Sequence, residues 1–113
     1  MSTIDNQEIL LVMTTITDAE KGKELARQII NEQLAACCNI VPAVTSIYRW
    51  QNELCEDQEC LLVIKTAQLR FNVLSEFIKT HHPYQTPEII ALPITESSQE
   101  YLSWVIQATN QIL

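Results

Sequence analysis

Glu8 to Thr15 (Glu-Ile-Leu-Leu-Val-Met-Thr-Thr) is a nearly unbroken apolar run. It is short for a helix and suits a strand buried on both faces. Thr17-Asp18-Ala19-Glu20 then has capping-box spacing, with Asp18 and Glu20 complementing a helix dipole. Gly22, Leu25, Ala26, Ile29, Ile30 and Leu34 recur at helical spacing, predicting a helix from about Asp18 to Leu34 with one face on a sheet. Cys37 to Trp50 is rich in β-branched and aromatic residues and reads as a second strand. Pro42 has no N–H to donate, which places that strand at an edge or at a bulge. Gln51-Asn52-Glu53 is the predicted turn, with Asn52 suited to a left-handed conformation.

The hairpin returns through an acidic arm, Glu53, Glu56, Asp57 and Glu59, into a second doubly buried run, Cys60 to Thr66. A helix over about Ala67 to Thr80 buries Leu74, Phe77, Ile78 and either Phe71 or Val73. Glu88 to Ile94 is the fourth strand. Ser97-x-x-Glu100 has the spacing of a second capping box, opening a helix with Tyr101, Leu102, Val105, Ile106 and Ile112 on its apolar side. The order β-α-β-β-α-β-α predicts an α+β fold: a ferredoxin-like βαββαβ unit, with an antiparallel sheet, plus a C-terminal helix. In that topology the first and third strands are central, and these are the two continuous apolar runs. The second and fourth become edges, and both contain proline.

The hairpin is longer than the central strands need, and its tip carries Tyr48 and Trp50. Large apolar side chains on an overhanging strand pair predict a homo-oligomer, with Tyr48 and Trp50 at the subunit interface. At 113 residues the chain makes one domain. A net charge of −7, with only seven Lys and Arg, excludes a nucleic-acid partner of the usual electrostatic kind. No apolar run is long enough to span a bilayer, and Met-Ser-Thr-Ile-Asp has neither a basic segment nor an apolar signal core. A cytoplasmic protein is expected. The four cysteines, at 37, 38, 55 and 60, lack chelating spacing and read as reduced, packed thiols. The single glycine, Gly22, lies in a helix, so neither glycine-rich phosphate-binding fingerprint is present.

Candidate chemistry gathers in His81-His82-Pro83-Tyr84-Gln85-Thr86-Pro87-Glu88. Pro83 stops the preceding helix, and the stretch becomes a stiff link that holds two imidazoles and a carboxylate together. Neutral imidazole ligates metals near neutral pH. At a helix end the two rings project about 100° apart, so one metal takes one of them. Alternatively, His81 caps the helix and His82 packs in an interface. Lys65 ends a buried strand and calls for a carboxylate partner, with Glu88 the nearest in pattern. Lys65, His82, Tyr84, Glu88 and Trp104 then line a cleft between protomers, either as a ligand pocket or as an interface network. The acidic arm reads as solvated surface or as a weak hard-cation site. No serine, histidine and acid set can be assembled, so an enzyme is not expected.

Five segments occur in order: Leu34-Ala35-Ala36-Cys37, Ser46-Ile47-Tyr48-Arg49-Trp50, Lys65-Thr66, His82-Pro83-Tyr84-x-x-Pro87-Glu88-Ile89 and Tyr101-Leu102-x-Trp104. Together they resemble the CutA divalent-cation tolerance family from about Ile9 onward. The resemblance implies a cytoplasmic homotrimer with intersubunit β-pairing, architecturally similar to PII signal proteins and linked to tolerance of copper and other divalent metals. It also implies copper or another divalent cation bound at the positions of Met13, His81 and Glu88. Met13 stands where the family pattern has cysteine, and a thioether is a softer, weaker ligand than thiolate. Asn52 stands where glycine is common at the hairpin tip, and asparagine tolerates that geometry. Two other functions fit the same residues. One is a PII-like sensor taking a small anionic molecule in intersubunit clefts through Lys65 and Arg49, and the other is a structural trimer that scaffolds another protein.

Overall fold

A computed structural model of the chain describes residues 8–110. The elements are β1 (Ile9–Ile16), α1 (Ala19–Asn31), β2 (Cys37–Trp50), β3 (Glu53–Ala67), α2 (Phe71–His81), β4 (Ile90–Ile94) and α3 (Gln99–Thr109), with a 3-10 turn at Gln68–Arg70. The strands form one antiparallel sheet in the order β2-β3-β1-β4. This is the α+β arrangement the pattern predicts, with the two apolar runs central and the proline-bearing strands at the edges. Ile112, placed by its spacing on the apolar side of the last helix, lies outside the described residues, as does the N-terminal segment 1–7.

Strand parity divides the molecule. Leu10, Val12 and Ile16 of β1 and Cys60, Leu62 and Ile64 of β3 face α1 and α2 and form one core with Leu25, Ile29, Leu74 and Ile78. Phe71 packs on that core while Val73 is half exposed, which settles the alternative left open on that helix. On the opposite face, Leu11, Met13, Leu61 and Val63 are only half-buried, and Ile90 and Leu92 are exposed. Ile9 and Ala67 belong by parity to that second face yet are buried, as are Val105 and Thr109 of α3, which packs on β3 and β1. Helix α3 therefore covers one end of the second face and leaves the rest apolar and open.

Several element boundaries differ from the sequence pattern, among them α2, which begins at Phe71 after the 3-10 turn rather than at about Ala67. Helix α1 stops at Asn31 rather than Leu34, because Gln33 takes a left-handed φ of 60°. Leu34 N–H then bonds Ile29 O at 3.1 Å and Gln33 N–H bonds Ile30 O at 3.0 Å, a Schellman closure formed without glycine. Leu34 is buried as the apolar residue after this closure, and Ile30 is left largely exposed. Helix α3 is capped by Ser98, not Ser97: its Oγ accepts from Tyr101 N at 3.2 Å. Likewise Asp18, not Thr17, caps α1 and accepts from Lys21 N at 2.9 Å. Strand β4 begins at Ile90, two residues later than Glu88.

Strand β3 pairs with β1 only over Cys60–Ala67, so Glu53–Glu59 continues past the end of β1 with β2 as its sole partner strand. The hairpin closes through Gln51 and Asn52, with φ of 51° and 68°, the two positive values that a type I′ turn requires. Between Val41 and Val44 the register slips by one residue, so the expected irregularity at Pro42 is a bulge on an edge strand. The projecting arm draws the molecule out to 49 × 25 × 22 Å. It also leaves Ile47 (64% exposed) and Leu54 (75%) in solvent beside Tyr48 and Trp50.

Gly22 is needed where α1 crosses β3. A Cβ there would lie 2.7 Å from Cys60 Sγ, closer than packed atoms allow. Gly22→Ala is expected to destabilise the fold by about 1–3 kcal/mol through overpacking, despite alanine's better helix propensity. Combining it with Cys60→Ala should recover part of that loss, giving a favourable coupling in a double-mutant cycle followed by urea unfolding. Strictly additive effects would show that the contact does not limit this position.

Candidate functional site

Pro83 ends α2, and the chain then runs through residues 83–89 without regular structure beside the projecting part of β3. His82 fixes the entry to this segment. Its ring is 8% exposed, with Nε2 2.8 Å from Thr15 O and Nδ1 3.1 Å from Tyr84 N. A backbone N–H can only donate and a carbonyl can only accept, so the ring is neutral, with its proton on Nε2. Both nitrogens are thereby occupied, and His82 ties the end of β1 to the start of the link. Burial lowers its pKa, against smaller upward pulls from the Thr15 carbonyl and Glu59.

Tyr84 carries the restraint onward. Its ring sits 4.7 Å from the His82 ring, and its hydroxyl donates to Glu59 Oε2. Burial and that bond to Glu59 push the Tyr84 phenol up to about 12, so it remains a donor at neutral pH. On the facing hairpin, Tyr48 donates its hydroxyl to Asp57, which raises the Tyr48 phenol to about 12 as well. Between these two tyrosines lies a groove of about 660 Å³. Thr15, Ser46, Ile47, Tyr48 and Trp50 form one side with Asp57 and Glu59, and Tyr84, Gln85, Thr86 and Glu88 close the other. The walls are aromatic and the charged groups are all carboxylates, an arrangement that attracts cations.

The other imidazole has a different setting. His81 is exposed and stacks on Phe77 at 4.0 Å, with Nδ1 2.9 Å from Phe77 O. Nδ1 must be the donor to that carbonyl, which leaves the Nε2 lone pair free in a neutral ring. This ring lines a separate depression with Lys21, Glu24 and Gln28 of α1.

The structure brings some of the sequence-predicted residues together and keeps others apart. Tyr84, Glu88, Tyr48 and Trp50 share the groove, and His82 supports it from behind. Lys65 instead bonds Asn39 Oδ1 across the β2–β3 pair, and makes no ion pair with Glu88 among the described residues. Trp104 lies tilted against Tyr101, with ring centroids 5.5 Å apart, and Arg49 lies on the other side of the hairpin, opposite Leu54. Within one protomer Met13 sits on the open sheet face opposite Val63 and Ile90, while His81 and Glu88 line different depressions. Among the described residues, no three His, Cys, Asp or Glu side chains converge as a metal cluster. The sequence reading placed Asp57 and Glu59 in an acidic arm, as solvated surface or a weak hard-cation site, and did not join them to the Tyr84 and Glu88 corner. The signal was the hairpin register: a two-residue turn at Gln51-Asn52 puts Asp57 opposite Ser46 and diagonal to Tyr48.

These features define a small α+β protein of ferredoxin-like topology, extended by a long hairpin and a C-terminal helix. Residues 10–108 match the family model described as CutA1 divalent ion tolerance protein. The chain belongs to the CutA divalent-cation tolerance family. It is 50% identical over 100 residues to the divalent-cation tolerance protein CutA of Thermus thermophilus, covering 88% of this chain and 97% of that protein. It is 45% identical to the chloroplastic CutA protein of Arabidopsis thaliana over 89% of this chain, and spans 56% of that longer relative. The solved Thermus thermophilus Cut A1 structure superposes with a TM-score of 0.88 at 48% identity, covering 90% of this chain and 99% of that one.

The His82 geometry has a pH consequence. The ring's folded-state pKa is depressed below 6.5, so unfolded chains take up the proton first as the pH falls. The stabilisation is fully present above about pH 6.5 and declines below it. Urea unfolding from about pH 7 to about pH 5 should show falling stability, and His82→Phe should remove part of that slope. A slope unchanged by the substitution would mean that His82 titrates alike in both states.

Proposed function

We propose that the protein serves divalent-cation tolerance in the cytoplasm as a homotrimer, one domain per subunit, that binds copper or another divalent cation at sites completed between subunits. Binding rather than catalysis is the role. The observation that carries the metal reading is the state of His81. Its Nδ1 proton is committed to the Phe77 carbonyl, so Nε2 is free to ligate, the usual way a backbone acceptor orients a metal-binding histidine. Glu88 adds an exposed carboxylate, and Met13 a half-buried thioether suited to cuprous copper. Since these three stand apart in one protomer, a firm site needs ligands from a neighbouring copy.

Assembly is supported by the open sheet face and by the arm that overhangs it. Leu11, Met13, Val63, Ile90 and Leu92 form an apolar surface that water would otherwise cover. The exposed apolar side chains of the hairpin continue it. No described helix is long and apolar enough to cross a membrane.

Two measurements test the proposal. Copper titration by calorimetry should give an affinity at least about tenfold weaker in His81→Ala than in the wild type, and stronger divalent-copper binding in Met13→Cys. An affinity unchanged in His81→Ala removes that residue from the site. Analytical ultracentrifugation should give three times the chain mass at micromolar concentration, and a species of one chain mass would refute the assembly.

A further inference from the structure

We propose that a second groove, between helix α1 and the edge strand β2, is a binding site for an aliphatic carboxylate, an anion with a slender hydrocarbon body. It lies on the helix side of the sheet, opposite to the open apolar face, and none of Met13, His81 and Glu88 lines it. Its volume is about 660 Å³, with Lys23, Ala26, Arg27 and Ile30 of α1 facing Cys38 and Ile40 of β2. The packing of α1 creates it. Gly22 lets the helix press on β3 at Cys60, over the middle of the sheet, and the outer margin at β2 is left partly uncovered. Cys38 and Ile40 are paired with the core residues Ile64 and Leu62 and share their face, yet both are only half-buried. On the other wall Ile30 is 39% exposed. Apolar side chains left wet on both walls of one groove gain by receiving a hydrocarbon. Burial pushes the Cys38 thiol up to about 12, so it adds neutral, polarizable surface to the floor.

The charge at its rim selects the head group. The chain carries a net charge of −7, yet the charged residues lining this groove are Lys23 and Arg27, with no Asp or Glu. They stand four residues apart on α1, so their heads share one edge of the groove, beside the Ala26 and Ile30 stripe. Lys23 meets Glu20 at 3.5 Å in a surface pair with both side chains well exposed, a contact that a ligand replaces at little cost. Arg27 makes no ion pair among the described residues. Its planar guanidinium can receive a carboxylate through two parallel hydrogen bonds. The lining follows the helix from Lys23 to Asn31, about 12 Å, and contains no aromatic ring. A saturated chain therefore fits it better than a flat ring or a compact phosphate. The anionic ligand expected from the sequence is a different case, because Lys65 and Arg49 both lie outside this lining.

Sodium decanoate, below its micellar concentration, is the probe. With chelator-treated full-length protein, calorimetry should show saturable binding at one site per chain. Butyrate, which has the charge without the body, and decyltrimethylammonium, which has the body with the opposite charge, should not saturate over the same range. Arg27 and Ile30 are both exposed, so their variants should fold. Arg27→Gln should weaken decanoate binding about tenfold, as loss of a charge-assisted contact predicts, and Ile30→Ser about fivefold through lost apolar contact. Equal binding of decanoate and decyltrimethylammonium overturns the proposal, as does an affinity indifferent to both substitutions. Failure of decanoate to saturate overturns it too, and is the result expected if a neighbouring copy is seated on the groove. Neither substituted residue is assigned to copper or to subunit contacts, so these failures leave the copper titration and the sedimentation test untouched.

Discussion

Strand β1 has eight residues and β3 has fifteen, and most of what distinguishes this molecule follows from that mismatch. Where β1 stops, opposite Cys60, β3 loses the neighbour that satisfied its backbone on one side. Backbone donors and acceptors cannot be left both buried and unpaired, so the projecting length must meet solvent, the link or another chain. The link after Pro83 takes up part of that vacancy. His82 holds it to the Thr15 carbonyl of β1, and Tyr84 reaches across to Glu59 at the first unsheltered turn of the pleat. The groove is the space left between them.

The two adjacent histidines show how one helix end gives the same side chain opposite chemistry. His81, still on the helix, faces its own preceding turn, donates to a carbonyl and keeps a free nitrogen at the surface. His82, one residue on and with an extended backbone, turns inward, where both nitrogens are consumed and burial favours the neutral ring. The first is equipped to bind and the second to brace. Two of the thiols are withdrawn alike: Cys60 is sealed against Gly22, and burial pushes Cys38 up to about 12, so neither is a nucleophile near neutral pH.

Much of the fold was legible because period-two and period-3.6 patterns are direct consequences of which face is buried. The central strands, the edge position of Pro42 and the left-handed Asn52 all came from such rules. What was not legible were choices that the residue type does not advertise. Gln33 and Gln51 adopt positive φ although glutamine has no preference for it, and Ser98 caps where Ser97 offered the better spacing. At the site, the corner of His82, Pro83 and Tyr84 was visible from its prolines. Glu59 was hidden in an acidic run, because only the pairing partners of a strand reveal which of its charges is covered. Within one protomer Lys65 bonds Asn39 rather than Glu88, and a polar neutral acceptor across the hairpin is equally invisible in the sequence.

The bulge at Pro42 sets the phase of the whole arm. Before it, Asn39 and Val41 share a face with Val63 and Leu61; after it, Val44, Ser46 and Tyr48 are the residues opposite Glu59, Asp57 and Cys55. One surplus residue thus converts an odd-numbered face into an even-numbered one. Without it, Arg49 would rotate into the groove, while Tyr48 and Trp50 turned away. A guanidinium would then stand beside the carboxylates in place of two aromatic rings, so the polarity of the recess is set by a miscount in a strand some distance away.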